Sequence, residues 1–443
     1  MKNAIIMTVG LGIDGESLSA AGALNVGGVP QLRRLIITAE KAGINNITII
    51  VDSNCSPLKE TFNKDKDVKS IISWHMLGTQ IDLEPHTYLF LQSNLVITRN
   101  GLSNFINSRI SEDEVGVLIG KKDYDSSNGG GNGVYDLDSG VKVGGAFLSY
   151  GNLIEKLISS SMDLTSWVKE LDSNQRTKFF EFSNRDWVQL SSDKDSIKEA
   201  EDLLFSEIRK SERGWKSRNV NRRISIQISR LLIQTSLTPN QLSVFVGIIG
   251  VMSGVFFAFG HIVVGGVLME LSSILDGCDG EVAKMKLMES KLGQWIDTIF
   301  DQIAYISFLI GVPLGYYHQT GNTIIIIIGC INFLIYILSL LWGIYFLGKY
   351  AGSGSMVTYP STIDRLFPIE QRSLLYKFVF RIRPLIQREY FAFFILIASV
   401  IGGYSLVLGI TSVSLGFAAI HLFDDYLMTS RHEAYDRQLV NKT

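Results

Sequence analysis

Four aspartates, Asp276, Asp279, Asp297 and Asp301, stand in otherwise apolar surroundings in the stretch DGCDGEVAKMKLMESKLGQWIDTIFD, residues 276–301. Carboxylates at membrane depth are costly and are usually functional. Asp276 and Asp279 are three apart, and Asp297 and Asp301 are four apart, so each pair shares one helix face. The short loop around Met288–Lys291 makes the two predicted helices antiparallel neighbours, and the four carboxylates can converge. Unpaired, they would repel one another. Two Mg²⁺ or Mn²⁺ ions about 3.5–4 Å apart would balance the charge and suit phosphoryl chemistry. Ser273, Gly277 and Gly280 line one face with Ala283 beside it, so a large ligand can approach the backbone. Lys284, one turn beyond Gly280, is placed to reach a diphosphate, and Gly293 opens similar space on the second helix.

Two other readings compete. The acids could form an ion-paired structural cluster, although only Lys284, Lys286 and Lys291 lie nearby in sequence. A cation channel or transporter would place acids near the bilayer midplane, whereas these lie at one edge of their apolar runs. Glu270 lies deeper, and a bond to Ser273 or to a neighbouring helix is expected. His261, His318, His421 and His432 show no paired spacing and read as interface or tail residues. Asp424 and Asp425, near the end of the last apolar run, are expected to face water.

The elements that must position the aspartates are membrane spans of about 20 residues each. Six candidates occur at 241–260, 262–283, 293–316, 323–347, 390–408 and 410–427. Connections at Gly260-His261, Tyr316–Asn322 and Gly402–Gly409 carry no Lys or Arg. The opposite side carries Lys284, Lys286 and Lys291, a basic 349–389 connection, and a tail with Arg431 and Arg437. The positive-inside rule then makes both termini cytoplasmic and puts the aspartates at the cytoplasmic ends of the second and third spans. Residues 209–240 are basic and then amphipathic. Arg222 and Arg230 share one stripe and Ile224, Ile228 and Leu231 another, the pattern of a helix lying on anionic headgroups, with a charged linker as the alternative. Thr238-Pro239 reads as the next helix start.

At 443 residues with a formal charge of −2, the chain suits two domains and offers no bulk attraction to nucleic acid. Three scattered cysteines, Cys55, Cys278 and Cys330, point to a reducing compartment without a zinc site. The division is 1–208 soluble, 209–240 juxtamembrane, 241–430 membrane and 431–443 tail. In the first part, candidate strands at 4–9, 46–51, 87–92, 114–120 and 141–149 alternate with helical patterns after Pro30 and at 151–159 and 194–210. That alternation predicts an α/β layer fold with a mostly parallel sheet. The Ser126–Gly133 stretch lacks a strand-to-helix context and reads as a flexible connection, not a phosphate loop.

Two family resemblances follow. The strand–GLG turn, Leu24–Pro30 leading into a helix, and AGINNITIIV resemble the sugar-phosphate nucleotidyltransferases, over roughly residues 1–205. The resemblance implies a Rossmann-like nucleotidyltransferase fold. The basic residues that the family uses for triphosphate are replaced by Ile13-Asp14-Gly15 and Ser19–Ala23. Its metal-binding Asp is replaced by Gln92-Ser93-Asn94, and Trp187–Ser192 holds no acid. An inactive domain is therefore expected, with an active cytidylyltransferase as the alternative. The second half resembles the CDP-alcohol phosphotransferases, whose motif D-x2-D-G-x2-A-R-x7–9-G-x3-D-x3-D reads here Asp276, Asp279, Gly280, Ala283, Lys284, Gly293, Asp297 and Asp301, with Lys284 in place of Arg. That resemblance implies metal binding by the four aspartates, with Asp301 also the general base. It further implies CDP binding by Gly280, Ala283, Lys284 and Gly293, release of CMP, and a homodimer in the membrane. Arg381, Arg383 and Arg388 are candidates to hold a phosphorylated acceptor, an ordinary positive-inside flank being the alternative. The whole arrangement resembles the bifunctional family that joins an inositol-1-phosphate cytidylyltransferase to a di-myo-inositol-phosphate-phosphate synthase, which implies inositol phosphate as acceptor.

Overall fold

The computed structural model describes residues 3–10, 17–52, 62, 65, 67–120, 143–160, 164–183, 186–210, 221–350, 359–367, 370, 372–386 and 388–440. The turn at 11–16, Cys55, Ser126–Gly133, residues 211–220 and the side chains of Arg222 and Arg383 lie outside them. The chain divides into two compact units, Met1–Lys210 with Met285–Leu287, and Ser211–Lys284 with Met288–Thr443.

The first unit is built on a seven-stranded sheet. Its strands are β1 (Asn3–Met7), β2 (Asn46–Val51), β3 (Ile71–Met76), β4 (Thr87–Gln92), β5 (Val115–Gly120), β6 (Val143–Tyr150) and β7 (Thr177–Phe182). The order across the sheet is β7-β5-β6-β4-β1-β2-β3, and all pairings are parallel except those of β6. Successive side chains of a strand point to opposite faces. Accordingly Ala4 and Ile6 enter one core with Leu35, Ile49 and Leu91, while Ile5 and Met7 enter another with Ile50, Phe90 and Phe147. Two buried faces explain why β1 and β2 read as unbroken apolar runs.

On this unit's surface the Arg33 guanidinium bonds Asp65 and Asp67. The hydrogen bond from Arg33 holds the Asp65 carboxyl below the usual carboxylate range. The stability it contributes is therefore present above that range and is lost as pH falls through the lowered value. Asp65→Asn should lower the thermal midpoint by about 1–3 °C at pH 7 and by progressively less in acid, read from melting curves across pH.

The second unit is helical: α1 (Arg222–Leu232), α2 (Pro239–Ala258), α3 (Ile262–Met285), α4 (Lys291–Thr320), α5 (Thr323–Tyr350), α6 (Tyr359–Leu366), α7 (Leu374–Ile386), α8 (Arg388–Ile401) and α9 (Gly403–Val440). Four of these, α2, α4, α5 and residues 403–431 of α9, are long and apolar enough to cross a membrane. Helix α3 is long enough but carries Glu270, Asp276, Asp279, Glu281 and Lys284. Helix α8 has 14 residues, about 21 Å, against a hydrocarbon core of about 30 Å. The expected boundary between spans 390–408 and 410–427 is corrected. The chain breaks at Gly402-Gly403, where Gly403 takes φ +64°, and Gly409 lies inside α9. A glycine in the left-handed region ends a helix without a Cβ penalty.

Helices α2 and α4 approach closely through glycine. A Cβ on Gly311 would fall 2.0 Å from the Gly254 carbonyl oxygen, and one on Gly254 would fall 2.3 Å from Ser307 Oγ. Small residues at such crossings let helix backbones meet inside a bilayer. This contact fixes α4, and with it the height of Asp297 and Asp301.

Candidate active site

Helix α2 begins as its sequence requires. Thr238 Oγ1 accepts from Gln241 N, the Gln241 side chain returns to Thr238 N, and Pro239 fills the first turn. One turn on, the buried Ser243 hydroxyl donates to Asp279 Oδ2 on α3. Asp279 also accepts from Gly280 N at 2.6 Å. Ser290 caps the start of α4 by accepting from Gly293 N at 3.0 Å. With both helices anchored at this end, Asp276, Asp297 and Asp301 each place a carboxylate oxygen within 4.8 Å of the others. Metal–oxygen distances of about 2.0–2.6 Å can span such a trio, so the donor set fits a hard divalent cation. Asp279 stands outside the trio, drawn towards Ser243.

Arg388, the first residue of α8, was expected to hold an acceptor. Its Nη1 lies 2.8 Å from Asp276 Oδ1 and 2.5 Å from Asp301 Oδ2. Among the described residues, this counter-ion to Asp276 and Asp301 is distant in sequence, which a count of nearby lysines could not reveal. Below Asp301 by one turn, Tyr305 stacks on Tyr336 and Phe391, and the Tyr336 hydroxyl donates to Gln302 Oε1 at 2.6 Å. These rings form an apolar floor under the carboxylates.

A cavity of about 170 Å³ opens beside them, lined by Ser243, Asp279, Lys284 and Asp297 among others. Gly280, Ala283 and Gly293 also line it. A Cβ on Gly280 would meet no atom within 4 Å, so this glycine leaves space for a ligand instead of serving helix packing. All four residues expected to bind CDP share one cavity. Arg381 is exposed and Arg388 lies at the carboxylates, while the side chain of the third candidate, Arg383, is outside the described residues.

Two expectations need correction. Asp424 and Asp425 do not face water. They are 6% and 2% exposed, and Arg372 Nη1 lies 3.0 Å from Asp424 and 2.7 Å from Asp425. The Tyr359 hydroxyl donates to Asp425 at 2.7 Å, and Phe367 and Tyr376 flank the guanidinium. The 359–386 segment, read from sequence as a basic connection, supplies these partners. Of the two partners expected for Glu270, Ser273 or a neighbouring helix, the first is excluded, because Ser273 Oγ has no hydrogen-bond partner among the described residues.

Residues 236–410 match the family model described as CDP-alcohol phosphatidyltransferase. Residues 236–410 form a CDP-alcohol phosphatidyltransferase domain. A chain with such a domain is an enzyme, and its relatives agree. The "Bifunctional IPC transferase and DIPP synthase" of Aquifex aeolicus (strain VF5) is 25% identical over 315 residues, 65% of this chain and 70% of that protein. The protein of the same name from Thermococcus kodakarensis is 36% identical, over 28% of each chain. The "Archaetidylinositol phosphate synthase" of Pyrococcus horikoshii is 27% identical over 23% of this chain and 55% of its own. Among solved structures, the inositol-1-phosphate CTP transferase from T. maritima aligns with 46% of this chain and 96% of its own, at 13% identity and a TM-score of 0.34. The 4-diphosphocytidyl-2C-methyl-D-erythritol synthase of Anaerococcus prevotii DSM 20548 aligns at 14% identity and a TM-score of 0.33. Seven of the eight motif positions match, with Lys284 in place of Arg, while the first unit has Gln92, Ser93 and Asn94 fully buried at the end of β4. Ser93 there donates to the Leu18 carbonyl.

Proposed function

We propose that this chain transfers a substituted phosphate from a CDP-alcohol to an acceptor hydroxyl and releases CMP, with CDP-inositol or CDP-diacylglycerol as donor and inositol phosphate as acceptor. The observation that carries the reading is the juxtaposition of three carboxylates within 4.8 Å with a cavity lined by Gly280, Ala283, Lys284 and Gly293. Asp276, Asp279, Asp297 and Asp301 would hold Mg²⁺ or Mn²⁺ as a two-metal site. Bound there, the ions supply electrostatic stabilisation of the charge that develops on the diphosphate. Lys284 adds a point charge at the cavity wall, without the bidentate fork of an arginine. Gly280 lets the diphosphate approach the backbone of α3, while at Gly293 a Cβ would meet Asn240 Oδ1 at 2.9 Å, so this second glycine serves the packing of the cavity wall. Asp301 takes the proton of the acceptor hydroxyl as its oxygen attacks the β-phosphorus and the bond to CMP breaks. The rings of Tyr305, Tyr336 and Phe391 keep water from the carboxylates below.

Arg388 is the acceptor's anion partner in this reading. Both described bonds run through Nη1, and a guanidinium carries five N–H donors, which leaves others for an acceptor phosphate. Arg388→Ala should raise KM for a phosphorylated acceptor by about 10–150-fold, the equivalent of about 1.5–3 kcal/mol, and Arg388→Lys should fall between. Steady-state kinetics with acceptor varied at saturating donor reads this. Arg381 and Arg383 extend the same basic flank.

The remaining parts of the reading are a chain crossing the membrane six times, with both termini cytoplasmic, and a homodimer through the membrane domain. In the first unit, Gln92, Ser93 and Asn94 are buried and offer no carboxylate at the end of β4, which favours a retained fold without cytidylyltransferase chemistry. The alternative, a bifunctional chain, is favoured by the length of the match to the Aquifex protein. Product analysis with CDP-inositol against CDP-diacylglycerol separates the donors. Pyrophosphate release from CTP by the Asp297→Asn chain would restore the bifunctional alternative.

A further inference from the structure

Glu281 lies inside the aspartate motif yet has no part in the reaction described above. It is 0% exposed, and both of its oxygens are engaged by serines of α1. Ser225 Oγ donates to Oε1 and Ser229 Oγ to Oε2, each at 2.6 Å. The serines are four apart and share one face of α1, so they straddle a single carboxylate. One turn earlier on α3, buried Cys278 adds a contact from Sγ to the Ser225 carbonyl at 3.6 Å. At about 100° per residue, Glu281 lies about 160° around α3 from Asp279. Ser243 therefore grips α3 on its carboxylate side, through Asp279, while α1 grips its back through Glu281.

We infer that Glu281, Ser225 and Ser229 are positioning residues that fix the rotation of α3 and so aim Asp276 and Asp279 into the metal site. The proposal rests on the reading of residues 276–301 as a divalent-metal site. Its physical basis is leverage. A carboxylate at the rim of a helix is about 5–6 Å from the axis, so a turn of about 10° displaces it by about 1 Å. Metal coordination tolerates about 0.2 Å. On the outer face of α1, Ile224 and Leu231 are 42% and 69% exposed. The amphipathic helix before the first span thus holds the metal-bearing helix by its polar face, a role its stripe of Ile and Leu did not suggest.

The test is Mn²⁺ titration of the full chain, followed by the free-ion electron paramagnetic resonance signal, beside CMP release and a thermal midpoint. S225A/S229A should weaken Mn²⁺ binding about tenfold, with kcat falling in step, at temperatures where the variant remains folded. E281Q, which keeps the shape and hydrogen-bonding capacity, should stay within about twofold of the parent. If S225A/S229A gives no folded protein, S229A alone should show a loss of about threefold. A folded S225A/S229A or S229A chain with parental Mn²⁺ affinity would overturn the positioning role, because a contact that served stability alone would move only the midpoint. A parent chain that bound no Mn²⁺ would instead overturn the metal site on which the inference rests.

Discussion

Asp301→Asn should lower the rate of CMP release about 10²–10⁴-fold at saturating donor, with KM for the CDP-alcohol changed little. Asparagine keeps the shape of the side chain and can still bond Arg388 through its amide oxygen, so the fold around α4 survives. It cannot take a proton from the acceptor hydroxyl, and its carbonyl is a weaker ligand for a hard cation than a carboxylate. If Asp301 were only the ion-pair partner of Arg388, the same substitution would lower the thermal midpoint and spare turnover. Measuring kcat, KM and the midpoint on one preparation separates the two roles.

The second large effect concerns stability. Arg372→Met should destabilise the helical unit by about 3–5 kcal/mol, because it leaves Asp424 and Asp425 buried without their cation. The thermal midpoint should fall by roughly 10 °C. Arg372 is enclosed between Phe367 and Tyr376, and Tyr359 completes the cluster from α6. The cluster therefore ties α6 and the segment leading into α7 to α9. Replacing all three charges, Arg372→Met with Asp424→Leu and Asp425→Leu, should recover much of the loss, since a buried ion pair can be exchanged for apolar packing at little net cost. A midpoint unmoved by Arg372→Met would mean that the two aspartates reach water after all.

What the sequence could disclose follows from how local each feature is. The aspartate motif, the cavity glycines and the Thr238 cap depend on neighbours three or four residues apart, and all were legible. Strands at 46–51 and 87–92 were legible too, because two buried faces leave an unbroken apolar run. Strands β3 and β7 were missed, as edge strands with exposed or half-exposed positions that lack such a run. The long-range partners were the hard part. Arg388 meets Asp276 and Asp301 across 112 and 87 positions, and Ser225 meets Glu281 across 56. Basic residues beyond a span read equally well as a topological flank, and a serine on an interfacial helix reads as a solvated one. Only tertiary packing distinguishes Arg372, enclosed with two aspartates, from exposed Arg381. The break at Gly402-Gly403 falls within the expected Gly402–Gly409 connection, but the spans were divided at Gly409, because one glycine inside an apolar run resembles another until its φ is known.

The most direct measurement is CMP release from CDP-inositol and from CDP-diacylglycerol by the purified full chain, with Mg²⁺ or Mn²⁺ and after chelation, beside Asp297→Asn. Metal-dependent CMP release from at least one donor is expected, lost on chelation and lost in Asp297→Asn. Full turnover by Asp297→Asn, or CMP release indifferent to chelation, would contradict the assignment of residues 276–301 as the metal-dependent phosphotransfer site.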